Sequence, residues 1–282
     1  MANDDKYPGS SGRRRFVKGV VGSAALAGVG TSAGAMINTT TNPTGKGGGA
    51  IEYFGVENTD GPAPRAMPQI PIRIDSEGFL QGLWPEVTEV EEGGRTIKVA
   101  ETDLGGITYS SEWYQYCGVQ TFPGVQPDAD QDQYLRYANN PPYTWQQEEV
   151  NAGDRVHIDD FEDYGSWGNE IGRSGVGKPA FATWRSQDVP PGSTMPVQLI
   201  RSELIEEQAP DDAWLSASTR EGFMAFLDKC THFCCVPGFK SFGDSAKFAA
   251  EDKVYCQCHQ SVYDPFSIVK RAYVALPRPE DG

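Results

Sequence analysis

From residue 51 onward, apolar side chains recur at alternate positions more than at helical spacing. Ile70, Ile72 and Ile74, then Val197 and Leu199, then Phe266 and Ile268 each place their side chains on one face of an extended chain. That is the period-two pattern of strands with one face in a core. Gly and Pro clusters separate the runs, and no segment sustains a helical period. The pattern predicts a mostly β domain. Pro71 cannot donate to a ladder, which places the first of these strands at a sheet edge. Short helices are expected near Asp130 to Ala138 and near Ser245 to Ala250.

The first 50 residues are patterned differently. Gly12-Arg13-Arg14-Arg15-Phe16-Val17-Lys18 precedes a Gly/Ala/Val run from Gly19 to Ala35. Paired arginines before an apolar run read as a twin-arginine export signal. The run, roughly 17 residues, just reaches spanning length, so residues 1–36 are read as a signal kept as a membrane anchor. Ala33-Gly34-Ala35 resembles a small-residue cleavage site, and removal is the alternative. Residues 37–50 are rich in Thr, Gly and Asn and read as a flexible linker. About 12 such residues span roughly 20 Å, enough for a swinging tether or a passive spacer.

Charge narrows the partners. The chain has 24 Lys and Arg against 39 Asp and Glu, a net charge of −15. Beyond residue 36 the balance is 19 against 37, a net of −18. Such a head does not bind nucleic acid or an anionic membrane surface electrostatically. Ten lysines and acidic pairs such as Asp159-Asp160 and Asp211-Asp212 point to a halophilic setting, where salt screens self-repulsion. Asp128-Ala-Asp130-Gln-Asp132 opens like a calcium loop, but Gln133 replaces the required Gly and Asn139 the bidentate Glu. It reads as a solvated acidic turn, and His157 as an ordinary strand histidine.

Candidate redox chemistry gathers near the C-terminus. Cys230-Thr-His232-Phe-Cys234-Cys235 and Cys256-Gln-Cys258-His259-Gln-Ser261 supply mixed sulfur and imidazole donors on short loops. Zinc sites favour C-x2-4-C and H-x3-5-H pairs, whereas each box here mixes Cys with His and leaves further cysteines over. Two thiolates with two imidazoles are the ligand set of a Rieske 2Fe–2S centre. Five of the six cysteines lie between 230 and 258, too few for a disulfide scaffold. Cys117 is read as a small buried apolar side chain, with a bridge to Cys234 as the alternative.

The boxes resemble the Rieske subunit of cytochrome bc-type quinol-oxidising complexes, whose pattern is C-T-H-x-G-C followed by C-x-C-H-G-S-x-Y-D. This chain reads CTHFCCVP and CQCHQSVYD. The resemblance implies a Rieske-type iron–sulfur domain of antiparallel sheets with a small cluster-binding subdomain, placed at 176–282 behind the N-terminal membrane anchor. Residues 51–175 have no counterpart in it and are read as a β-rich N-terminal part of the head. It implies that Cys230 and Cys256 ligate one iron, that His232 and His259 ligate the other, and that Cys235 and Cys258 form a disulfide. Cys234, beside Cys235, is the alternative partner in that bridge. Ser261 and Tyr263 map onto hydroxyls that hydrogen-bond to cluster sulfurs and raise the potential. Cys234 and Gln260 stand where the family has glycine. A third segment, G-P-x-P in the family, would fall at Leu276-Pro277-Arg278-Pro279.

The function so implied is electron transfer through one Rieske-type 2Fe–2S cluster. The chain would accept an electron, coupled to a proton, from quinol at a cytochrome b-type membrane subunit on the outer face of the cell membrane. It would pass that electron to an exported cytochrome c or blue copper carrier. The sequence has no C-x-x-C-H and no flavin fingerprint, so it is one relay among several subunits and not a catalyst alone. A Rieske subunit of an exported molybdenum-type oxidoreductase or nitrate-reductase chain is the alternative. A soluble Rieske ferredoxin is disfavoured by the export signal and by Cys235 with Cys258.

Overall fold

The computed structural model describes residues 49–92 and 95–278. The signal or anchor at 1–36 and nearly all of the 37–50 linker lie outside the described residues; Gly49 and Ala50 already belong to the first strand. Among the described residues, no helix is long and apolar enough to cross a membrane.

The fold is mostly β. Its largest sheet contains, in spatial order, β12 (Gly238–Phe239), β13 (Val254–Cys256), β14 (Ser261–Ala275), β1 (Gly49–Asp60), β2 (Met67–Ile70), β11 (Phe223–Leu227), β10 (Met195–Arg201), β9 (Lys178–Trp184) and β8 (Arg136–Tyr137). Every pairing in it is antiparallel. A two-stranded ribbon joins β3 (Ile72–Ile74) to β4 (Leu80–Gly82), and a three-stranded sheet joins β5 (Val87–Glu92), β6 (Arg95–Leu104) and β7 (Ile107–Ser110). β1, β2 and β8 come from upstream of residue 175 yet share the sheet with β9 to β14, so strands from both sides of that boundary interleave.

β1 and β14 form the longest ladder, from Gly49 opposite Ala275 to Asp60 opposite Val262, with register shifts at Val56/Glu57 and Asn58/Asp60. Such bulges bend a strand and increase its twist. β10 and β11 are buried on nearly every residue, as expected of interior strands.

Three expectations change. The expected strand divides at Pro71: Ile72–Ile74 form β3, an edge strand of the two-stranded ribbon, whereas β2 sits between β1 and β11, and the Pro71 carbonyl between them accepts from Leu83 N–H at 2.8 Å. The expected helix at 130–138 is extended chain. Asp132 takes the Tyr134 N–H at 3.2 Å, and Leu135 bonds to Leu80 at 3.0 Å and Val156 at 2.9 Å, so a local side-chain turn and strand-like partners replace helical bonds. Short helices occur instead at α1 (Thr144–Glu149), α2 (Glu203–Gln208) and α3 (Ala213–Ser218), capped for α2 by Ser202 and for α3 by Asp212. At six residues each, they show too little periodicity to read from sequence. A 3-10 turn at Gly243–Phe248 occupies the other expected position.

The main core is aromatic. Trp113 packs 5.2 Å from both Tyr109 and Trp214, and Tyr114 lies 5.7 Å from Trp184. Three of these rings also satisfy their polar heads. Tyr109 donates to Leu83 O at 2.8 Å, Tyr114 to Gln69 O at 2.9 Å, and Trp214 Nε1–H to Gln69 Oε1. Burial of one such side chain contributes about 1.5–3 kcal/mol. A second apolar cluster, with Met67, Ile200, Met224, Phe226 and Phe239, lies against the two cysteine loops and includes Cys230, Cys256 and Tyr263.

His157 caps a 3-10 turn and bonds Glu77 O through Nε2 at 2.7 Å. Asp128 pairs with Lys98 and Asp132 with Arg136, so two of the three acidic side chains are held in ion pairs.

Candidate metal centre

Loop 1, residues 228–237, leaves the end of β11; loop 2, residues 257–260, is the tip of the β13–β14 hairpin. Cys256 pairs with Ser261 across the base of that hairpin, so only four residues make the turn. Loop 1 is equally tight: Cys230 N–H donates to Cys235 O at 2.8 Å and Cys234 N–H to Cys230 O at 3.0 Å.

The two loops bring the predicted donors together in pairs. Cys230 and Cys256 are free thiols, each 1% exposed. The rings of His232 and His259 lie 4.9 Å apart at 84°. His232 is half-buried and its Nδ1 has no hydrogen-bond partner, whereas His259 is exposed at the tip. Phe233, 65% exposed, covers both imidazoles at 4.2 and 5.1 Å.

The thiols are strongly polarised. A hydrogen bond from the Cys256 thiol, more than any other influence, holds Cys230 down at about 5, against the opposing effect of burial. The Tyr263 hydroxyl, 3.2 Å from Cys230 Sγ, and the His232 backbone N–H act in the same direction. Ser261 adds to this, although its buried Oγ makes no well-aligned hydrogen bond. Cys256 is pushed up by the hydrogen bond it shares with Cys230, then by burial and the neighbouring charge. Both thiols must lose their protons to ligate a metal, so a bound cation would displace them.

Cys235 and Cys258 form a disulfide, with Cα atoms 6.8 Å apart, that ties loop 1 to loop 2. The sulfurs of Cys235, Cys256 and Cys258 lie within 4.8 Å of one another, but two of them are spent in that bond, so the three do not make a thiolate site. Cys117 forms a second disulfide, to Cys234, with Cα atoms 5.3 Å apart; the reading of Cys117 as a plain apolar side chain is corrected. Parity was the available signal, since six cysteines less two ligands leave two pairs. Cys234 and Gln260 have φ of 64° and 56°, the left-handed region that glycine occupies without strain. Both loops therefore keep a glycine-type conformation without glycine.

Two neighbours escaped the sequence reading. Asp228, fully buried, has no partner for either carboxylate oxygen; burial first, and then the charge of Cys230, pushes its pKa well up. Arg65 stacks on Tyr273 at 4.4 Å and Tyr116 at 5.2 Å while its carbonyl accepts from Thr231 Oγ1 at 2.7 Å. Arg65 meets loop 1 only in the fold, whereas Asp228, two residues before Cys230, is local to it but carries no spacing signal that tells a buried carboxyl from a solvated one.

Leu276 and Arg278 bond to Gln115 and Lys98, and Pro279 lies outside the described residues. No family model, curated protein or solved structure matches this chain.

Proposed function

We propose that the chain holds one Rieske-type 2Fe–2S cluster and serves as the electron-transfer subunit of a quinol-oxidising cytochrome b complex. It would work at the outer face of the cell membrane and deliver electrons to an exported cytochrome c or blue copper protein. The observation that carries this reading is the convergence of two boxes 26 residues apart in sequence, Cys230 to Cys256, into one site with paired buried thiols and paired imidazoles.

The donor set fits the group. Cys230 and Cys256 would hold one iron and His232 and His259 the other. The unpartnered Nδ1 of His232 and the unpartnered Oγ of Ser261 are buried polar atoms awaiting an acceptor or metal. Bound there, the group supplies one-electron transfer, at a potential raised by neutral imidazole ligands. Tyr263 donates to Cys230 Sγ at 3.2 Å and so favours negative charge on that sulfur. The Cys235–Cys258 bridge ties the two loops together, and Phe233 lies over both imidazoles. His259, exposed at the tip, presents the imidazole that can meet a partner's hydroxyl and hold its proton.

A redox titration of the purified protein at several pH values, with EPR of the reduced form, tests the reading. The expected result is a high midpoint that falls as pH rises through the range in which the imidazoles titrate. A low, pH-independent midpoint would place the chain with soluble ferredoxins, and bound zinc with no EPR signal would overturn the cluster.

A further inference from the structure

Two adjacent residues of one upstream segment hold loop 1 on both sides of its predicted imidazole ligand. Between β7 and β8 the chain passes through 3-10 turns at Ser111–Tyr114 and Val119–Thr121, joined by Gln115-Tyr116-Cys117-Gly118. The Tyr116 hydroxyl donates to Lys229 O at 2.9 Å, just ahead of Cys230. Cys117 is bonded to Cys234, just beyond Phe233. Residues 230–233 are therefore bracketed by neighbours that lie 113 and 117 positions upstream of their partners. Lys229 also brings its Nζ to 5.5 Å from the Phe122 ring.

The segment is itself fixed to the body of the head. Trp113, Tyr114 and Val119 are buried in the aromatic core. The Tyr273 hydroxyl lies 3.0 Å from Glu112 O and 2.9 Å from Trp113 O, and Leu276 N–H donates to Gln115 O at 3.0 Å. Of the two bridges, Cys235–Cys258 joins the loops only to each other, whereas Cys117–Cys234 leads out of them to this segment. Cys117 and Cys234 have φ of 53° and 64°. A side chain in that region carries backbone strain and persists only where its surroundings over-determine it. The bridge supplies that constraint at both of its ends.

We propose that residues 115–122 form a mount for loop 1, a positioning element that ties both ends of residues 230–233 to the aromatic core. It sets the orientation of His232 and of the Phe233 ring over the imidazoles. Cys234, standing where the resembled pattern has glycine, exchanges a relaxed backbone for a covalent fixing point. The mount also gives a role at the site to part of the stretch before residue 175, which has no counterpart in that pattern. Its effect on iron rests on the metal-site reading, while its effect on loop 1 stands on the contacts alone.

The test uses the full chain as purified, in the parent form, as the double variant Cys117→Ser with Cys234→Gly, and as Tyr116→Phe. Amide hydrogen exchange is followed at residues 230–236 of loop 1 and 257–260 of loop 2, together with EPR of the reduced form. The double variant is expected to speed exchange in loop 1 roughly tenfold or more, with a smaller rise in loop 2, and to shift the EPR line. Tyr116→Phe leaves the bridge in place and should speed loop 1 by about fivefold, the worth of one ordinary hydrogen bond. Loop 1 exchange within about twofold of the parent in both variants, or a rise of the same size in both loops, overturns the mount. An EPR line unchanged in the double variant also overturns it, because a bridge that only stabilised the fold would leave the surroundings of the iron as they were. If the double variant does not fold, Tyr116→Phe decides by the same criteria. Absence of iron from the parent protein would sink the proposed function, while the exchange comparison would still decide the mount.

Discussion

The aromatic half of the core and the loop end of the same sheet hold their shapes by different means. Around Trp113 and Trp214, large rings meet edge to face, tilted or, for Phe54 on Trp214, stacked, and the hydroxyls of Tyr109 and Tyr114 and the Trp214 indole N–H are bonded to backbone or to Gln69. Around Cys230 and Cys256, buried polar atoms of Asp228, His232 and Ser261 have no hydrogen-bond partners, and two disulfides close the loops. A site that keeps donor atoms available cannot use those atoms to satisfy its own packing. Covalent closure and outside contacts take over part of that task, beside the second apolar cluster that lies under the loops.

Breaking each half separately sharpens the contrast. The largest effect is expected from Cys256→Ser, which should abolish iron binding outright while leaving the near-ultraviolet circular dichroism of the aromatic half unchanged; metal analysis with spectroscopy checks both. Trp113→Ala should cost about 3–5 kcal/mol of stability by denaturant unfolding, and the folded fraction should still bind iron. The double variant Cys117→Ser with Cys234→Gly should cost about 2–4 kcal/mol, because a bridge spanning 117 residues of sequence is lost. Glycine at 234 relieves the left-handed backbone, so the loss would report the bridge and not strain. Unchanged stability there would show that the loop end does not depend on that staple.

Tyr263→Phe removes the donor to Cys230 Sγ and should cost about 1 kcal/mol and lower the reduction potential with the iron retained. An unchanged midpoint would remove Tyr263 from any tuning role. The smallest effect is expected in the aromatic half, from Asp75→Asn. The Phe79 N–H, above all, holds the Asp75 carboxyl below its ordinary value, aided by Tyr134 and Glu77. A depressed folded pKa contributes stability that is present above about pH 4 and lost as pH falls through the lower folded value. The difference between parent and variant should therefore be greatest at neutral pH and shrink in acid, as followed by thermal unfolding.

Much of the site was legible locally. Cys230, His232, Cys256 and His259 stand out by residue type and spacing, and Tyr263 lies a few residues beyond the second box. The glycine-type positions at Cys234 and Gln260 were also visible, and both have positive φ. The sequence leaves the partner of Cys234 open, because Cys117 lies 117 residues away and nothing near it marks a bridge. Pro71 signals an edge, which holds for β3 but not for β2, because sequence shows that a residue cannot donate but not which strand lies beside it.

By itself the sequence determined the β character of the chain, the two donor boxes and the acidic surface, since alternation, ligand chemistry and charge are properties of neighbouring residues. Only the tertiary structure decided that β2 is central, that Cys117 reaches Cys234, and that Tyr116 meets loop 1 at Lys229. Those facts depend on contacts between residues far apart in the chain, and their energy comes from closing long loops and burying shared surface, which no local pattern records.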